Sequence, residues 1–527
     1  MSTETLTVIQ PSDLPATIQD GYYGYALVND EEDNPTIKSI SYQLQNANVR
    51  RCFDFYVGSS AWITGENLDI PSDRATEYLP IMPAETAPEW LFRLKRTLFV
   101  NWFKPAVKTV AAMLTNWQFS ETVPETVLAS TKNFDKRGTS IKAFSLEADR
   151  VALRDGFVGV LTLYPDFGEI PNRAVESQLD LRPYSILIPR VDIDIKAFEY
   201  ANDGSVLLKH VTIDRSECVN EGRYKQAIAN LIWEYELVPI LDGKSYAVMR
   251  TIYQITKDEE NKTKIKVLKE GKLLIDVKGK ALDQIPLVLY SLTDPTSWGS
   301  MPPLMDLQQK NRTYYQVFSD WLATVRKMQP TPVREHIDFI PEDCPPLLTG
   351  GASVIDVVSP AKLYYLQADA ASTAPMIQAL DRLEDSIKQT VFSFLGESFV
   401  EQTATEASIK ATQNKAGLEE FKVNKESCWE QIFAHWAMWM GEDAKGDYGT
   451  IDIDLSFMLA PANVDLIRVV FENISKGMTE EAATEILHRI NFLPKDQKIT
   501  GIVVPFDDMK LVNKPFNDSI SQPSESI

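Results

Sequence analysis

Histidine and cysteine are the side chains best suited to hold a metal ion or to attack a substrate. The chain has four of each: His210, His336, His435, His488, Cys52, Cys218, Cys344 and Cys428. The histidines form no HExxH motif and no pair four residues apart on a helix. The cysteines are scattered and include no CxxC pair. We therefore expect no metal and no other cofactor, and cysteines that are reduced and structural.

Glycine-rich loops of the kind that hold phosphate groups do not occur in the sequence. The Gly-Lys pairs at positions 243, 271 and 279 lack the upstream glycine of a phosphate-binding loop and are typical of turns between strands. Neither GxSxG nor GxGxxG is present. Paired carboxylates such as Asp192 and Asp194 are expected by chance in a chain with 74 acidic residues. These patterns argue against an enzyme.

Charge and length limit the class of protein further. The 53 basic and 74 acidic residues give a net charge of −21, which argues against a protein that clamps nucleic acid by its phosphates. The 527 residues are enough for about two to four hydrophobic cores. No apolar run approaches the ~20 residues that span a bilayer, and the N-terminus lacks the pattern of a secretory signal. We expect a multidomain product made in the cytoplasm.

The first third of the chain predicts an acidic arm followed by helices. Residues 1–36 carry seven acidic residues and no basic one, with prolines at positions 11, 15 and 35, which predicts an arm outside the core. Between Ala87 and Asn116, apolar residues recur at helical spacing. This spacing predicts two helical pieces with a kink or break at Pro105.

The middle third predicts a mainly antiparallel sheet. Three segments are rich in Val, Ile, Tyr and Leu: Val151–Tyr164, Arg182–Asp214 and Ile228–Tyr290. The dipeptides Asp203-Gly204 and Asp242-Gly243 favour tight hairpins between such strands.

Helical periodicity returns after residue 300. The apolar pattern predicts a first helix over 302–328, a second over 372–391 and a third over 405–440, the last about 54 Å long at 1.5 Å per residue. Residues 463–493 predict two shorter helices separated by Gly477, and the tail from Pro515 is expected to fray.

Short packing and turn motifs recur in a specific order over more than 400 residues. They are Tyr78-Leu79-Pro80 before the helical segment to Asn116, Asp149-Arg150, Asp155-Gly156-Phe157-Val158-Gly159-Val160-Leu161, Arg182-Pro183-Tyr184, Ile285-Pro286-Leu287-Val288, Pro302-Pro303-Leu304-Met305-Asp306-Leu307 with Asn311, Tyr315 and Asp320, Thr403-Ala404-Thr405-Glu406-Ala407, Gly477-Met478-Thr479 and Leu493-Pro494. In this order and spacing the chain resembles a portal protein of a tailed double-stranded DNA bacteriophage.

The resemblance implies an α+β portal fold, with about twelve subunits in a ring around a DNA channel at one capsid vertex. The implied parts are an acidic N-terminal arm (1–36), a β-rich wing with a helical start (37–300), a first stem helix (301–328), a clip (329–371), a second stem helix (372–391), a tunnel loop (392–404), a spine helix with a return to the wing (405–459), and a helical crown with the C-terminal tail (460–527).

The resemblance also implies three groups of site residues. The tunnel loop that approaches DNA includes Phe394, Gly396, Glu397, Ser398 and Gln402. The second stem helix lines the channel with Asp381, Glu384, Asp385 and Lys388. The clip docks the packaging motor and later the adaptor through Arg334, Glu335, Asp338, Glu342 and Asp343.

The charges of these segments suit a conduit. Residues 376–404 carry five acidic and two basic residues, and a wall with few cations lets DNA slide because each Lys or Arg would add to phosphate binding. The clip carries six acidic and two basic residues, so we expect a basic face on the motor. Arg312, Arg326 and Lys327 are candidates for ion pairs with these acids between subunits, the alternative being a purely solvated role.

Several alternatives stay open at this stage. The stem acids can instead solvate an exposed helix face, and the predicted tunnel loop can be a plain connector with Phe394 and Phe399 buried. Segments Gly351–Val358 and Leu363–Leu366 are expected to pair either with a neighbouring subunit or within the chain as a hairpin.

The implied partners are further copies of the chain, the major capsid protein, the large terminase subunit, head-tail adaptor or tail proteins, and double-stranded DNA without sequence specificity. The implied location is the virion, with no membrane association. The alternatives are another ring-forming connector of a phage particle and a β-rich hydrolase that uses two carboxylates in an enclosed pocket.

Overall fold

The computed structural model describes these parts of the chain: residues 34–64, 70–83, 85–165, 180–200, 206–220, 224–240, 245–257, 263–293, 301–327, 333–336, 348–349, 352–353, 355–358, 373–392, 404–443 and 446–455. The acidic arm up to residue 33 and the predicted crown, with its two helices between 463 and 493, lie outside these residues. The described chain contains both helices and sheets, which confirms the α+β class.

Nine α-helices occur within the described ranges. They are α1 (Ile40–Val57), α2 (Ala75–Tyr78), α3 (Ala87–Arg96), α4 (Phe103–Met113), α5 (Glu125–Ala129), α6 (Ile141–Asp155), α7 (Met305–Lys327), α8 (Ala374–Phe392) and α9 (Ala404–Trp439). The three long helices predicted after residue 300 are confirmed as α7, α8 and α9.

Local sequence sets several helix ends. Ser39 and Ser140 cap α1 and α6, and each side chain accepts a hydrogen bond from the backbone N–H three residues later. Thr86 and Glu89 form a capping box at the start of α3. Gly156 follows α6 with a φ of 95°, a conformation that favours glycine, and ends the helix there.

The two helical pieces predicted between Ala87 and Asn116 are confirmed, but the break predicted at Pro105 is wrong in position. α3 ends at Arg96 and α4 begins at Phe103, so the interruption spans residues 97–102 and Pro105 lies in the first turn of α4. A proline is tolerated in a first turn because the N–H groups there have no partner within the helix.

Sixteen strands lie within the described ranges. They are β1 (Ile63–Thr64), β2 (Ile70–Pro71), β3 (Trp117–Phe119), β4 (Val158–Leu163), β5 (Tyr184–Pro189), β6 (Ile193–Tyr200), β7 (Val206–Asn220), β8 (Gln226–Ile240), β9 (Ser245–Lys257), β10 (Thr263–Leu273), β11 (Leu287–Tyr290), β12 (Val333–His336), β13 (Leu348–Thr349), β14 (Ala352–Ser353), β15 (Ile355–Val358) and β16 (Ile451–Ile453).

The largest sheet is antiparallel, with strand order β10-β9-β8-β7-β6. Its pairings confirm the antiparallel sheet predicted for the middle of the chain, including the hairpins β6–β7 and β8–β9 that flank the two Asp-Gly dipeptides. The strand predicted from Val151 begins only at Val158, because residues 151–155 complete α6. A short apolar run is compatible with a buried helix as well as with a strand, so composition alone could not distinguish the two at residues 151–155.

Two hydrophobic cores meet at a three-stranded antiparallel sheet, β11-β4-β5. Val158 and Val160 of β4 belong to the first core, which joins α1, α3, α4 and α6 to the start of α7 and the second half of α9. Leu161 and Leu163, on the opposite face, belong to the second core, which lies between this sheet and the five-stranded sheet. The three-stranded sheet therefore connects the helical part of the body to its β-rich part.

Candidate functional site

The predicted stem region forms an antiparallel pair of helices. Lys310, near the start of α7, donates a hydrogen bond of 2.7 Å from Nζ to Oγ1 of Thr390, near the end of α8. Leu380 and Ile387 of α8 are buried. The two helices therefore form a hairpin, which we call the α7–α8 hairpin.

Asn311 fixes the base of this hairpin to the body. Its buried side chain donates from Nδ2 to the carbonyl oxygen of Val100 at 2.9 Å and accepts from the backbone N–H of Trp102 at 3.0 Å. Both partners lie in the interruption between α3 and α4. The side-chain amide thus provides hydrogen bonds to a backbone C=O and a backbone N–H that have no partner within a helix. These two bonds hold α7 in a defined position.

Arg93 makes a second attachment, further along α7. Its guanidinium bonds the Glu85 carboxylate at 2.7 Å, the Pro80 carbonyl oxygen at 2.6 Å and the Ser319 hydroxyl at 3.1 Å. Asp320 lies 3.9 Å from the same group. Burial raises the pKa of the Asp320 carboxyl, and Arg93 opposes that rise. This buried, charge-assisted cluster ties the middle of α7 to α3.

The four predicted channel-lining residues share one face of α8. Asp381 lies three and four residues before Glu384 and Asp385, and Lys388 lies three and four residues after Asp385 and Glu384, which places the four on one side of the helix. Asp381 and Asp385 are exposed, while Glu384 accepts a hydrogen bond from Lys388 at 2.7 Å. Burial raises the pKa of Tyr314 of α7, and Glu384 and Asp381 add to that rise, so this face borders Tyr314. The surface offers exposed carboxylates and one cation that is already paired.

The cations of the α7–α8 hairpin were predicted to reach the acids of another subunit. No second subunit is present to test this, so those ion pairs stay a prediction. Within the chain, Arg326 lies over the Phe92 ring, with its guanidinium carbon 4.1 Å from the ring centre. Together α7 and α8 carry six basic and five acidic residues, so the described hairpin is close to neutral rather than strongly acidic. Glu397 and Glu401 supply two of the three excess acidic residues counted over 376–404, and they lie outside the described residues; α8 itself has three acidic and two basic residues, and α7 adds two acidic and four basic ones.

The segment between the two helices contains short paired strands. β12, with Arg334 and Glu335, pairs in parallel with β15, placing Arg334 opposite Asp356 and Glu335 opposite Val357. β13 and β14 form a small antiparallel pair. Within the chain, β15 thus pairs in parallel with β12 and not in the hairpin that was one alternative for Gly351–Val358, and pairing of this segment with a neighbouring subunit stays a prediction. Leu363–Leu366 lies outside the described residues.

Two groups of predicted site residues, those of the tunnel loop and those of the clip, lie wholly or partly outside the described residues. The tunnel-loop residues Phe394, Gly396, Glu397, Ser398 and Gln402 fall between the end of α8 and the start of α9. Asp338, Glu342 and Asp343 fall between β12 and β13. Their roles stay predictions.

α9 leads from this region back into the first core. Leu418, Phe421, Trp429 and Trp436 are buried along its second half. Nε1 of Trp436 donates to the Ser185 hydroxyl at 2.8 Å, and Nε1 of Trp439 to the Thr162 carbonyl oxygen at 3.0 Å. The end of α9 is thereby bonded to β4 and β5, and the helix links the predicted tunnel loop to the sheet.

A buried ion pair lies on the apolar face of α9. Nζ of Lys425 donates to Asp149 at 2.6 Å and to the Leu114 carbonyl oxygen at 2.8 Å, and the Tyr290 hydroxyl donates to the other Asp149 oxygen at 2.6 Å. Neither Lys425 nor Asp149 is exposed to solvent. Burial raises the pKa of Asp149 and lowers that of Lys425, and the ion pair opposes both changes. The network joins α9, α6 and β11 in one place.

Sequence reasoning missed this network, although a signal was present. Lys425 occupies a position in the apolar stripe of α9, between Phe421 and Cys428, where a charged residue is unexpected unless it has a buried partner. Asp149 stands in a corresponding position among the buried residues of α6. The pairing of the two could not be read from the sequence, because they are 276 residues apart.

Metal-binding and membrane-spanning features can be assessed for the described ranges. There, no three His, Cys, Asp or Glu side chains cluster in a way that could hold a metal ion. No helix in those ranges has the length and apolar character to cross a bilayer. Cys52 and Cys428 are buried and Cys218 is exposed, all three as free thiols.

One comparison with known proteins gave a match. The model of a family described as a domain of unknown function (DUF4055) matches residues 303–440. The match begins just before α7 and ends just after α9, so it includes the α7–α8 hairpin and the long helix. A search of curated proteins found no match. The part of the chain shared with that family is therefore the part that carries the candidate channel surface.

Proposed function

We propose that this chain is a portal protein of a tailed double-stranded DNA bacteriophage. About twelve copies form a ring at one capsid vertex, and the genome enters and leaves through its channel. The chain acts as a conduit and docking platform and performs no catalytic step. A separate ATP-driven motor, the large terminase subunit, supplies the packaging energy.

The observation that carries the proposal is the succession of three long helices on a β-rich body. The α7–α8 hairpin is held at Asn311 and at Arg93, and α9 then returns over about 54 Å to the three-stranded sheet. In a ring, a hairpin fixed in this way presents the same face of α8 to the axis in every copy. A β-rich hydrolase gives no reason for this arrangement.

The charges of the hairpin support a sliding contact with DNA. Lys388 is paired with Glu384, and Arg326 stacks on Phe92, so these two cations already have partners within the chain. Exposed Asp381 and Asp385 oppose close approach of phosphates. On the face of α8 that carries Asp381, Glu384, Asp385 and Lys388, DNA then meets one cation that is already paired, and it can move without strong retention there.

The other parts of the proposal concern partners and location. The protein resides in the virion, contacts the major capsid protein, and binds terminase and later the adaptor or tail proteins through the segment between α7 and α8. Arg334 and Glu335 belong to that surface.

The first test is the assembly state. Twelve copies of a 59.5 kDa chain give a particle of about 0.7 MDa, which light scattering after size-exclusion chromatography measures directly. Averaged electron-microscope images viewed along the axis should show a ring with an open centre. A monomer, or a closed particle without a channel, would overturn the proposal.

The second test separates a DNA channel from other ring-forming connectors. Asp381→Lys with Asp385→Lys reverses two exposed charges of α8 and should leave the ring intact while slowing DNA packaging several-fold, with recovery at higher salt. Glu147→Lys on α6 is the matched control, because Glu147 is also exposed. Equal rates of DNA packaging in the two variants would show that α8 does not line the channel.

A further inference from the structure

An apolar row is exposed along β10, the strand at one end of the five-stranded sheet, and along the turn that follows it. Its members are between 43% and 52% exposed: Val267, Leu268, Leu273, Ile275 and Val277. Leu274 is buried in the second core, so its neighbours Leu273 and Ile275 point away from that core. Because soluble proteins seldom leave large apolar side chains grouped in water, such a row marks an interaction surface.

Lysines line the same edge of the sheet. Residues 266–280, which we call the lysine edge, carry five lysines and two acidic residues in a chain with a net charge of −21. One of these acids, Asp276, is buried and accepts hydrogen bonds of 2.8 Å from the backbone N–H groups of Lys278 and Lys280. The Lys266 and Lys280 side chains are exposed and have no ion pair within the described chain. Lysines on an edge strand discourage strand pairing, but the apolar row beside them also requires cover, so we expect a partner with both carboxylates and apolar groups.

A surface of opposite charge follows the second half of α9 and β16. Residues 419–454 carry nine acidic and three basic residues. Of the basic residues, Lys425 is fully buried, and Lys422 is shared between Glu426 of α9 at 3.6 Å and Asp452 of β16 at 3.3 Å. The carboxylates of this surface therefore far outnumber the cations that could neutralise them within the chain.

Exposed carboxylates and an apolar side chain lie together on this surface. Glu420 and Glu430 are exposed on α9 and have no ion pair within the described chain. Val423 follows Glu420 by three residues and precedes Glu430 by seven, so the three share one side of the helix, and Val423 is 60% exposed. Asp452, on the adjoining β16, is 80% exposed. We call these four residues the acidic face.

The lysine edge and the acidic face are separate surfaces of one chain. Nζ of Lys278 donates to the carbonyl oxygen of Gly441 at 2.9 Å, so the lysine edge reaches the C-terminal end of α9. Val423 lies 18 residues earlier, about 27 Å away along the helix. A contact between two different surfaces of the same chain repeats from copy to copy and can close into a ring.

We propose that the lysine edge of one copy packs against the acidic face of the next copy. This inference rests on the proposed ring and names the two surfaces that join its subunits. The lysines supply cations to Glu420, Glu430 and Asp452, and the apolar row covers Val423. The contact thus removes an exposed apolar row from water and neutralises part of the acidic excess of each neighbour.

Two charge-reversal variants of the full chain test the contact. Lys266→Glu with Lys280→Glu reverses charges on the lysine edge, and Glu420→Lys with Glu430→Lys reverses charges on the acidic face. Each variant should raise the protein concentration at which half of the chains are assembled by at least about tenfold, measured by light scattering after size-exclusion chromatography. Lys95→Glu with Lys108→Glu is the matched control, because these lysines are exposed on α3 and α4, and it should leave assembly unchanged.

Mixing the two variants makes the test specific. In an equal mixture, each reversed surface of one variant meets a surface of opposite charge on the other variant, so assembly should return at the concentration found for the parent protein. A variant that had merely lost its local structure would not be rescued in this way.

The outcomes separate this contact from the ring itself. Rings that form equally well in the parent protein and in both variants would overturn the contact and leave the proposed function standing, whereas a monomeric parent protein would overturn both. Weakened assembly that mixing does not restore would assign the two surfaces to partners other than a second copy, and would also overturn the contact.

Discussion

The buried Lys425–Asp149 pair leads to the sharpest stability prediction. Lys425→Met keeps the length of the side chain but removes the donor to Asp149 and to the Leu114 carbonyl oxygen. Because both charged groups are fully buried, the variant leaves an unpaired carboxylate in the first core, which costs about 3–5 kcal/mol in comparable proteins. The free energy of unfolding should fall by that amount, measured by urea denaturation with tryptophan fluorescence.

The loss of unfolding free energy in Lys425→Met should depend on pH because of the Asp149 carboxyl. In the unfolded chain Asp149 titrates near 3.8, whereas burial raises its pKa in the folded chain, and in Lys425→Met no ammonium group opposes the rise. While the carboxyl is protonated in both the folded and the unfolded chain, its raised pKa does not lower the free energy of unfolding. As the pH rises from the unfolded-state pKa towards the folded-state pKa, the free energy of unfolding falls. The penalty of Lys425→Met should therefore be larger at pH 8 than at pH 5.

Two further variants control this experiment. Lys422→Met lies three residues earlier on α9 and removes only partly exposed ion pairs, at 3.3 Å to Asp452 and 3.6 Å to Glu426, so it should cost at most about 1 kcal/mol. Asp149→Asn with Lys425→Met removes both charges and should cost less than Lys425→Met alone. A penalty for Lys425→Met that matches Lys422→Met at both pH values would refute the reasoning.

Four other predictions follow from named residues. Burial lowers the pKa of His435 to about 4, so the parent protein should lose about 3 kcal/mol of stability as the pH falls from about 6.5 to 4, and His435→Met should lose less, measured by the urea midpoint at each pH. Val357→Pro removes a backbone N–H donor from the segment predicted to pair with a neighbouring subunit, and it lies outside both cores, so light scattering should show impaired rings while tryptophan fluorescence reports a folded chain. Shortening the chain around Gly396 should preserve the ring and reduce the DNA content of particles; particles with normal DNA content would contradict a channel role. Raising the ionic strength to about 0.5 M should weaken binding of the terminase motor, and unchanged binding would contradict an electrostatic contact.

Periodicity was sufficient to predict the long elements. The predicted helix over 302–328 agrees with Met305–Lys327, and that over 405–440 agrees with Ala404–Trp439. The Asp-Gly dipeptides indicated which strands of the large sheet are neighbours. These features depend on residues close together in the sequence, where side-chain spacing and turn preferences act directly.

Local sequence patterns gave wrong predictions where the same pattern is compatible with two different local structures. Pro105 can break a helix or occupy its first turn, and the apolar run from Val151 can be the end of a helix or the start of a strand. In both cases the outcome depended on neighbours in the fold: Val151 is buried in the first core, and the interruption before Phe103 is bonded to Asn311, 209 and 211 residues later in the chain.

The sequence by itself determined the α+β class, the positions of the long helices and the acidic excess, because each of these is a property of composition or of spacing within a segment. Only the tertiary structure decided which charges are partnered. Lys425 meets Asp149, Arg93 meets Glu85 and Ser319, and Lys38 meets Asp214. Such contacts form when separate elements fold against each other, since buried polar groups must find partners wherever the chain brings them together.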